Sequence, residues 1–206
     1  EVAAVENPEL WPELHKRTIV ERYTDLILRI CAEHNTRATF FILGWVAERH
    51  PALVRRIADA GHEIGTHSYW HRRVYQLTPD VFREDIDQSL RAIRAAAPGV
   101  EIRGFRAPSF SITPGAEWAF DVLLDLGLTY DASLFPARRG HGGYACKPGP
   151  HVIKTPKGNS LPELPMSVAT FGPAKLCYSG GGYLRLLPSW MIERGLRQEQ
   201  RAGRGT

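Results

Sequence analysis

Sulfur is scarce in this chain: its 206 residues hold three cysteines and two methionines. Cys31, Cys146 and Cys177 are odd in number and widely spaced, and no CxxC pair occurs. That excludes a zinc ribbon or a disulfide framework as the organising principle. Cys31, within a helical pattern, reads as a small core residue. Long apolar runs are also missing, and no stretch approaches the ~20 residues of a membrane-spanning helix. The opening EVAAVENPELWPELHKR is acidic and then polar, without the charged-then-apolar order of a secretory leader. This leaves the compartment open, because a leader can be removed. Aspartate is late to appear, the first being Asp25 inside a helical pattern. A formal net charge of +4 is no strong excess, and much of it sits in Arg194, Arg197, Arg201 and Arg204, near a Gly- and Gln-rich end. Such a solvated helix end lacks the basic, aromatic-bearing face that nucleic acid requires.

What is present is ordinary globular material, 43% hydrophobic and 23% charged, enough for one domain over residues 1–206. Helical and strand patterns alternate. TIVERYTDLILRICAE (18–33) carries Ile19, Ile27, Ile30 and Cys31 at helical spacing, and Ala38–Leu43 is the continuous apolar run of a buried parallel strand. WVAERHPALVRRIADAG reads as helix, reopened at Pro51 and closed at Gly61. A short strand follows at Glu63–Thr66, and Thr78-Pro79-Asp80 caps a long helix. The cycle repeats with a strand at Ile102–Phe105, a helix from Thr113-Pro114 to Leu126 and a strand at Leu128–Asp131. Residues 136–160 read as a surface excursion, Leu161–Val168 as strand, Gly180-Gly181-Gly182 as a turn and Pro188 as the start of a last helix. Repeated βα units of this size predict a parallel sheet, open or closed into a barrel.

In such a fold, chemistry collects where strands end. Three candidates fall there. His67 and His71, in GTHSYWH, follow the second strand, and as residues i and i+4 of a helical turn they would converge on one ion. Arg106 follows the third strand, in GFRAPSF, and Asp131 ends the fourth, in YDAS. Two imidazoles, a guanidinium and a carboxylate make a plausible hydrolytic set. Each has a plainer alternative: a surface coincidence for the histidines, an ion pair for Arg106 and a turn cap for Asp131.

RATFFILGWVAERHPALVRRIADAGHEIGTHSYWH, GFRAPSFSIT and YDASLFP together resemble the polysaccharide deacetylases of carbohydrate esterase family four, with their NodB homology domain. The resemblance covers about residues 18–135, and SGGGYLRLLP is similar to the subgroup associated with exosortase and exopolysaccharide loci. It implies a distorted (β/α) barrel and a divalent metal, usually zinc. The implied activity is removal of N- or O-acetyl groups from polysaccharides. Carried over, His67 and His71 become metal ligands. Arg106 orients the catalytic carboxylate, the backbone N–H of Ser109 binds the oxyanion, and Asp131 tethers the catalytic histidine. Asp59 and Glu63 match no family ligand. The family's opening Asp pair (base and third ligand) and its closing strand with the general-acid histidine have no counterpart here. The resemblance therefore implies a domain incomplete at both termini and by itself inactive.

Two other classes stay open. A glycoside hydrolase needs two acidic groups flanking the scissile bond, and no such pair declares itself. A non-catalytic carbohydrate-binding relative would use aromatics such as Trp45, Trp70, Tyr144 and Tyr183 for stacking, though partial core burial explains each of them as well.

Overall fold

The computed structural model describes residues 13–137, 143–172 and 174–204. Residues 1–12, which carry most of the leader reading, and 138–142, within the expected excursion, lie outside these. The first half alternates as its apolar spacing requires. Helix α1 (Glu13–Glu33) leads to β1 (Thr39–Ile42), then α2 (Gly44–Arg49), α3 (Pro51–Asp59) and β2 (Glu63–Thr66). Next come α4 (Pro79–Ala96), β3 (Gly104–Phe105), α5 (Trp118–Asp125) and β4 (Tyr130–Asp131). The second half holds β5 (His151–Lys154), β6 (Ser160–Glu163), β7 (Val168–Phe171), β8 (Ala174–Cys177), α6 (Gly181–Leu186) and α7 (Ser189–Arg201).

One sheet runs β1-β2-β3-β4-β6-β5, parallel through β6 with β5 antiparallel at its edge, and β7 and β8 form a separate hairpin. Among the described residues the sheet is open rather than closed into a barrel. Helix α4 begins as its Thr-Pro start predicts, the Thr78 side chain accepting from Val81 N–H. Its Phe82, Ile86, Leu90 and Ile93 are buried with Ile64 and Phe105 of the sheet and with Leu53, Val54 and Ile57 of α3. Burying a side chain of this size stabilises by about 1.5–3 kcal/mol, so this layer fixes the sheet. Successive strand residues alternate faces, so Gly65 and Gly104 face away from the helices. There the rings of Phe41 and Tyr130 lie where a Cβ on either glycine would stand, 2.6 Å and 2.1 Å away.

Several expected elements shift. The helix predicted from Thr113 starts at Trp118, because Gly115 takes φ 96° and its N–H bonds Glu117, making a turn first. The expected excursion contains β5, and the predicted strand Leu161–Val168 splits into β6 and the start of β7. Gly181 and Gly182 open α6 rather than a turn, after Gly180 at φ 101° reverses the chain. On α1 the predicted apolar face is not the packed one. Ile19, Ile27 and Ile30 are exposed, while Val20 and Leu28 meet the core. The three cysteines are free thiols.

Candidate functional site

The register of the sheet brings the candidates into adjacent rows. Thr66, Phe105, Asp131 and Glu163 are successive partners across β2, β3, β4 and β6. The next row carries His67 and Arg106, still held by ladder bonds: His67 N–H to Ile42 C=O at 2.9 Å and Arg106 N–H to Thr66 C=O at 3.1 Å. Both side chains therefore stand at the carboxyl ends of parallel strands, where ligand sites of such sheets form.

The histidines meet, but not through a helix. Their ring centroids are 5.0 Å apart at 71°, edge to face. Residues 67–73 have no helical structure, and Ser68 and His71 take φ 70° and 60°. The left-handed region costs an L-residue about 1–2 kcal/mol, so the turn must be held in place. His71 N–H donates to Ser68 Oγ at 2.9 Å within it. His67 Nδ1 lies 2.6 Å from the Arg106 carbonyl. A carbonyl only accepts, so Nδ1 carries the proton and Nε2 keeps its lone pair, the tautomer of a metal-binding imidazole. Burial first, then the His71 ring and the Arg106 guanidinium, push His67 down to about 4, against the Arg106 carbonyl, which favours its charge. It is neutral at physiological pH and able to donate to a cation. Among the described residues no cluster of three or more His, Cys, Asp and Glu could hold a metal. The pair itself offers two imidazole donors of the kind that metal sites use.

Arg106 lies with its guanidinium 4.6 Å over the Phe41 ring, and its Nε donates to Ala132 C=O at 3.0 Å. Burial works against its charge, while Asp131, Tyr130 and Glu163 favour it. Ser109 sits in a short 3-10 turn (Pro108–Phe110) at φ 55°. Backbone bonds there run from Phe110 N–H to Ala107 C=O and from Ser111 N–H to Pro108 C=O, neither using the Ser109 N–H.

Asp131 ends β4, next in the chain but one to Ser133. It is fully buried and accepts from Ser133 N–H at 3.1 Å and Ser133 Oγ–H at 2.6 Å. Ser133 Oγ in turn accepts from Ala107 N–H at 2.7 Å. Asp131 thus acts on the Arg106–Ser109 turn through Ser133. No histidine ring meets it among the described residues.

Sequence reasoning missed Glu163. It is fully buried beside Asp131, and its Oε1 accepts from Leu134 N–H at 3.0 Å. Its Oε2 is buried without a donor. Burial, and then the Asp131 charge, raise Glu163, and burial also raises Asp131. Two carboxyl groups in contact share a hydrogen bond only when one keeps its proton, so the pair holds one. The available signal was strand alternation, which puts Glu163 on the buried face with Leu161.

A histidine pair and an arginine turn thus stand at adjacent strand ends of a parallel sheet backed by helices. The chain belongs to the polysaccharide deacetylase family, whose profile matches residues 16–130, while residues 132–206 match a domain family of unknown function, DUF3473. It is 36% identical over 108 residues to a chitooligosaccharide deacetylase of Sinorhizobium fredii, covering 49% of this chain and 44% of that protein. It is 39% identical over 79 residues to a peptidoglycan-N-acetylglucosamine deacetylase of Bacillus cereus, covering 37% and 29% respectively. The chain thus spans less than half the length of these relatives. Among solved structures, a putative polysaccharide deacetylase from Mycobacterium smegmatis superposes with TM-score 0.63 at 29% identity, over 88% of this chain and 59% of that one. A family-four pseudoenzyme from Bacillus anthracis matches with TM-score 0.50 at 29% identity, over 54% of this chain and 38% of that one.

Proposed function

We propose that this chain belongs to a metal-dependent hydrolase that removes acetyl groups from an N- or O-acetylated polysaccharide. The carrying observation is the His67–His71 pair, with His67 anchored through Nδ1 on the Arg106 carbonyl, so that Nε2 keeps its lone pair. A divalent cation there, zinc above all, would polarise the acetyl carbonyl and make water more acidic. The chain's own groups do the rest of what is present. Arg106 holds a carboxylate base ionised and oriented, and the Ser109 N–H receives the charge that develops on the carbonyl oxygen. A base that takes the proton of water and an acid that returns one to the leaving group complete the reaction.

The test has two arms. Zinc titrated by calorimetry into the 206-residue chain should bind, and His67→Ala or His71→Ala should weaken binding by at least tenfold. Equal affinity in all three proteins would remove the metal from this reading. The same chain should release little acetate from acetylated chitooligosaccharide with zinc present, whereas a longer protein that also carries the family's Asp pair and general-acid histidine should release it. A second reading, a carbohydrate-binding relative without catalysis, is favoured by the absence of a third ligand among the described residues. Sugar binding without acetate release in the extended protein would establish it.

A further inference from the structure

We propose that Asp85 and Ser89 of α4 are positioning residues that set the spacing of the His67–His71 pair. The ligand used in the test rests on the metal reading above, but the geometry does not. Asp85 and Ser89 are 1% and 0% exposed, one helical turn apart on a face otherwise made of Phe82, Ile86, Leu90 and Ile93. Polar side chains do not stay buried on a core face unless donors or acceptors meet them. Here the partners come from the turn that carries the histidines and from the strand end before it. Asp85 Oδ2 accepts from Tyr69 N–H at 2.7 Å, and Oδ1 from Arg72 Nη2 at 3.0 Å. Ser89 Oγ donates to Ser68 C=O at 3.0 Å. A hydroxyl has one proton, so Thr66 Oγ1–H donates to Ser89 Oγ across their 2.8 Å contact.

Ser68 C=O and Tyr69 N–H belong to one peptide unit. Helix α4 therefore grips that unit at both of its polar groups, and Gly44 N–H adds a second bond to the same carbonyl at 2.9 Å. The unit directly follows Ser68, at φ 70°, and its orientation decides whether the turn stays left-handed. If it rotates, Ser68 Oγ loses the His71 N–H it accepts, and the two rings separate. No helical repeat holds the rings together in this turn, so their spacing is imposed from α4.

The experiment uses the 206-residue chain with zinc chloride as the probe. Calorimetry is run on wild type, Asp85→Ala, Asp85→Asn, Ser89→Ala and Asp121→Ala. In the metal-free proteins, NMR reads the through-space contact between the His67 and His71 rings. Asp121 is a buried carboxylate of α5 that holds the hairpin turn at Thr155–Asn159, so its loss should lower the melting temperature without reaching the histidines. Asp85→Ala should weaken zinc binding by about 10- to 100-fold, the range seen when a group orienting a ligand is lost. Asp85→Asn, which keeps an acceptor for Tyr69, should lose less, and Ser89→Ala should lose about three- to tenfold. The ring contact should vanish in Asp85→Ala and persist in Asp121→Ala. A folded Asp85→Ala with wild-type affinity and ring contact would overturn the proposal, as would an equal loss of affinity in Asp121→Ala; if Asp85→Ala does not fold, Ser89→Ala with wild-type affinity and ring contact overturns it. If wild type binds no zinc, the metal reading fails and the ring contact alone decides this one.

Discussion

Replacing Glu163 by glutamine should make the protein more stable at neutral pH, although it alters a fully buried group. In the folded chain burial and Asp131 push Glu163 up to about 10 from its ordinary 4.5, so the carboxyl pair keeps one proton that the unfolded chain releases. A raised carboxyl pKa contributes stability at low pH that is lost as pH rises towards the folded value. Each proton taken up on folding costs about 1.4 kcal/mol per pH unit above the unfolded pKa, so between pH 4.5 and 7.5 the loss is about 3–4 kcal/mol. Glutamine keeps an oxygen for Leu134 N–H and turns an N–H towards Asp131, supplying permanently the donor the proton provided. The assay is urea unfolding of wild type and Glu163→Gln across pH 4.5–7.5. The two should match at the acid end, with the variant ahead by about 3 kcal/mol at pH 7.5, or about 6–12 °C in melting temperature for a domain of this size. Equal slopes would refute the reasoning, showing that Asp131 holds the proton through burial alone.

Further outcomes follow from the packing and the site. Gly44→Ala should cost about 1–3 kcal/mol by overpacking. Its Cβ would fall 2.5 Å from Tyr69 Cδ2 and 2.6 Å from Ser89 Cα, and a melt matching wild type would show that α2 can slide. Asp121→Ala should lower stability by about 2–4 kcal/mol, since Thr155 Oγ1, Lys157 N–H and Asn159 Nδ2 lose a shared acceptor, and denaturant unfolding measures it. In an active, extended protein, Arg106→Lys should reduce kcat by about ten- to a thousandfold with zinc affinity unchanged, because an ammonium cannot reproduce the planar fork. Unchanged kcat would make Arg106 structural.

The alternation of strands and helices was legible because parallel strands are continuous apolar runs, and because Pro and Gly mark where helices start and stop. Thr78-Pro79 and Glu63–Thr66 fall where the pattern put them. Where glycine had two uses the pattern was ambiguous, so Gly181 and Gly182 looked like a turn yet open a helix. The histidine pair was visible as a spacing, but its cause was not, since a left-handed residue at Ser68 has no mark in the letters. Glu163 and Asp85 escaped for a related reason. A charged residue in a strand or amphipathic helix reads as solvent-facing, and only the fold shows that its partner lies on another element.

The peptide between Ser68 and Tyr69, fixed by α4 and by the start of α2, bears on transplantation. A segment such as GTHSYWH looks portable, a short sequence with both histidines on it. Grafted onto another sheet without an aspartate and a serine one turn apart on the neighbouring helix, and without a glycine opposite, it would carry the side chains but not their meeting. The inheritable unit is three segments distant in sequence, around residues 44, 66–72 and 85–89, and recombination that separates them leaves two histidines without the peptide grip that brings them together.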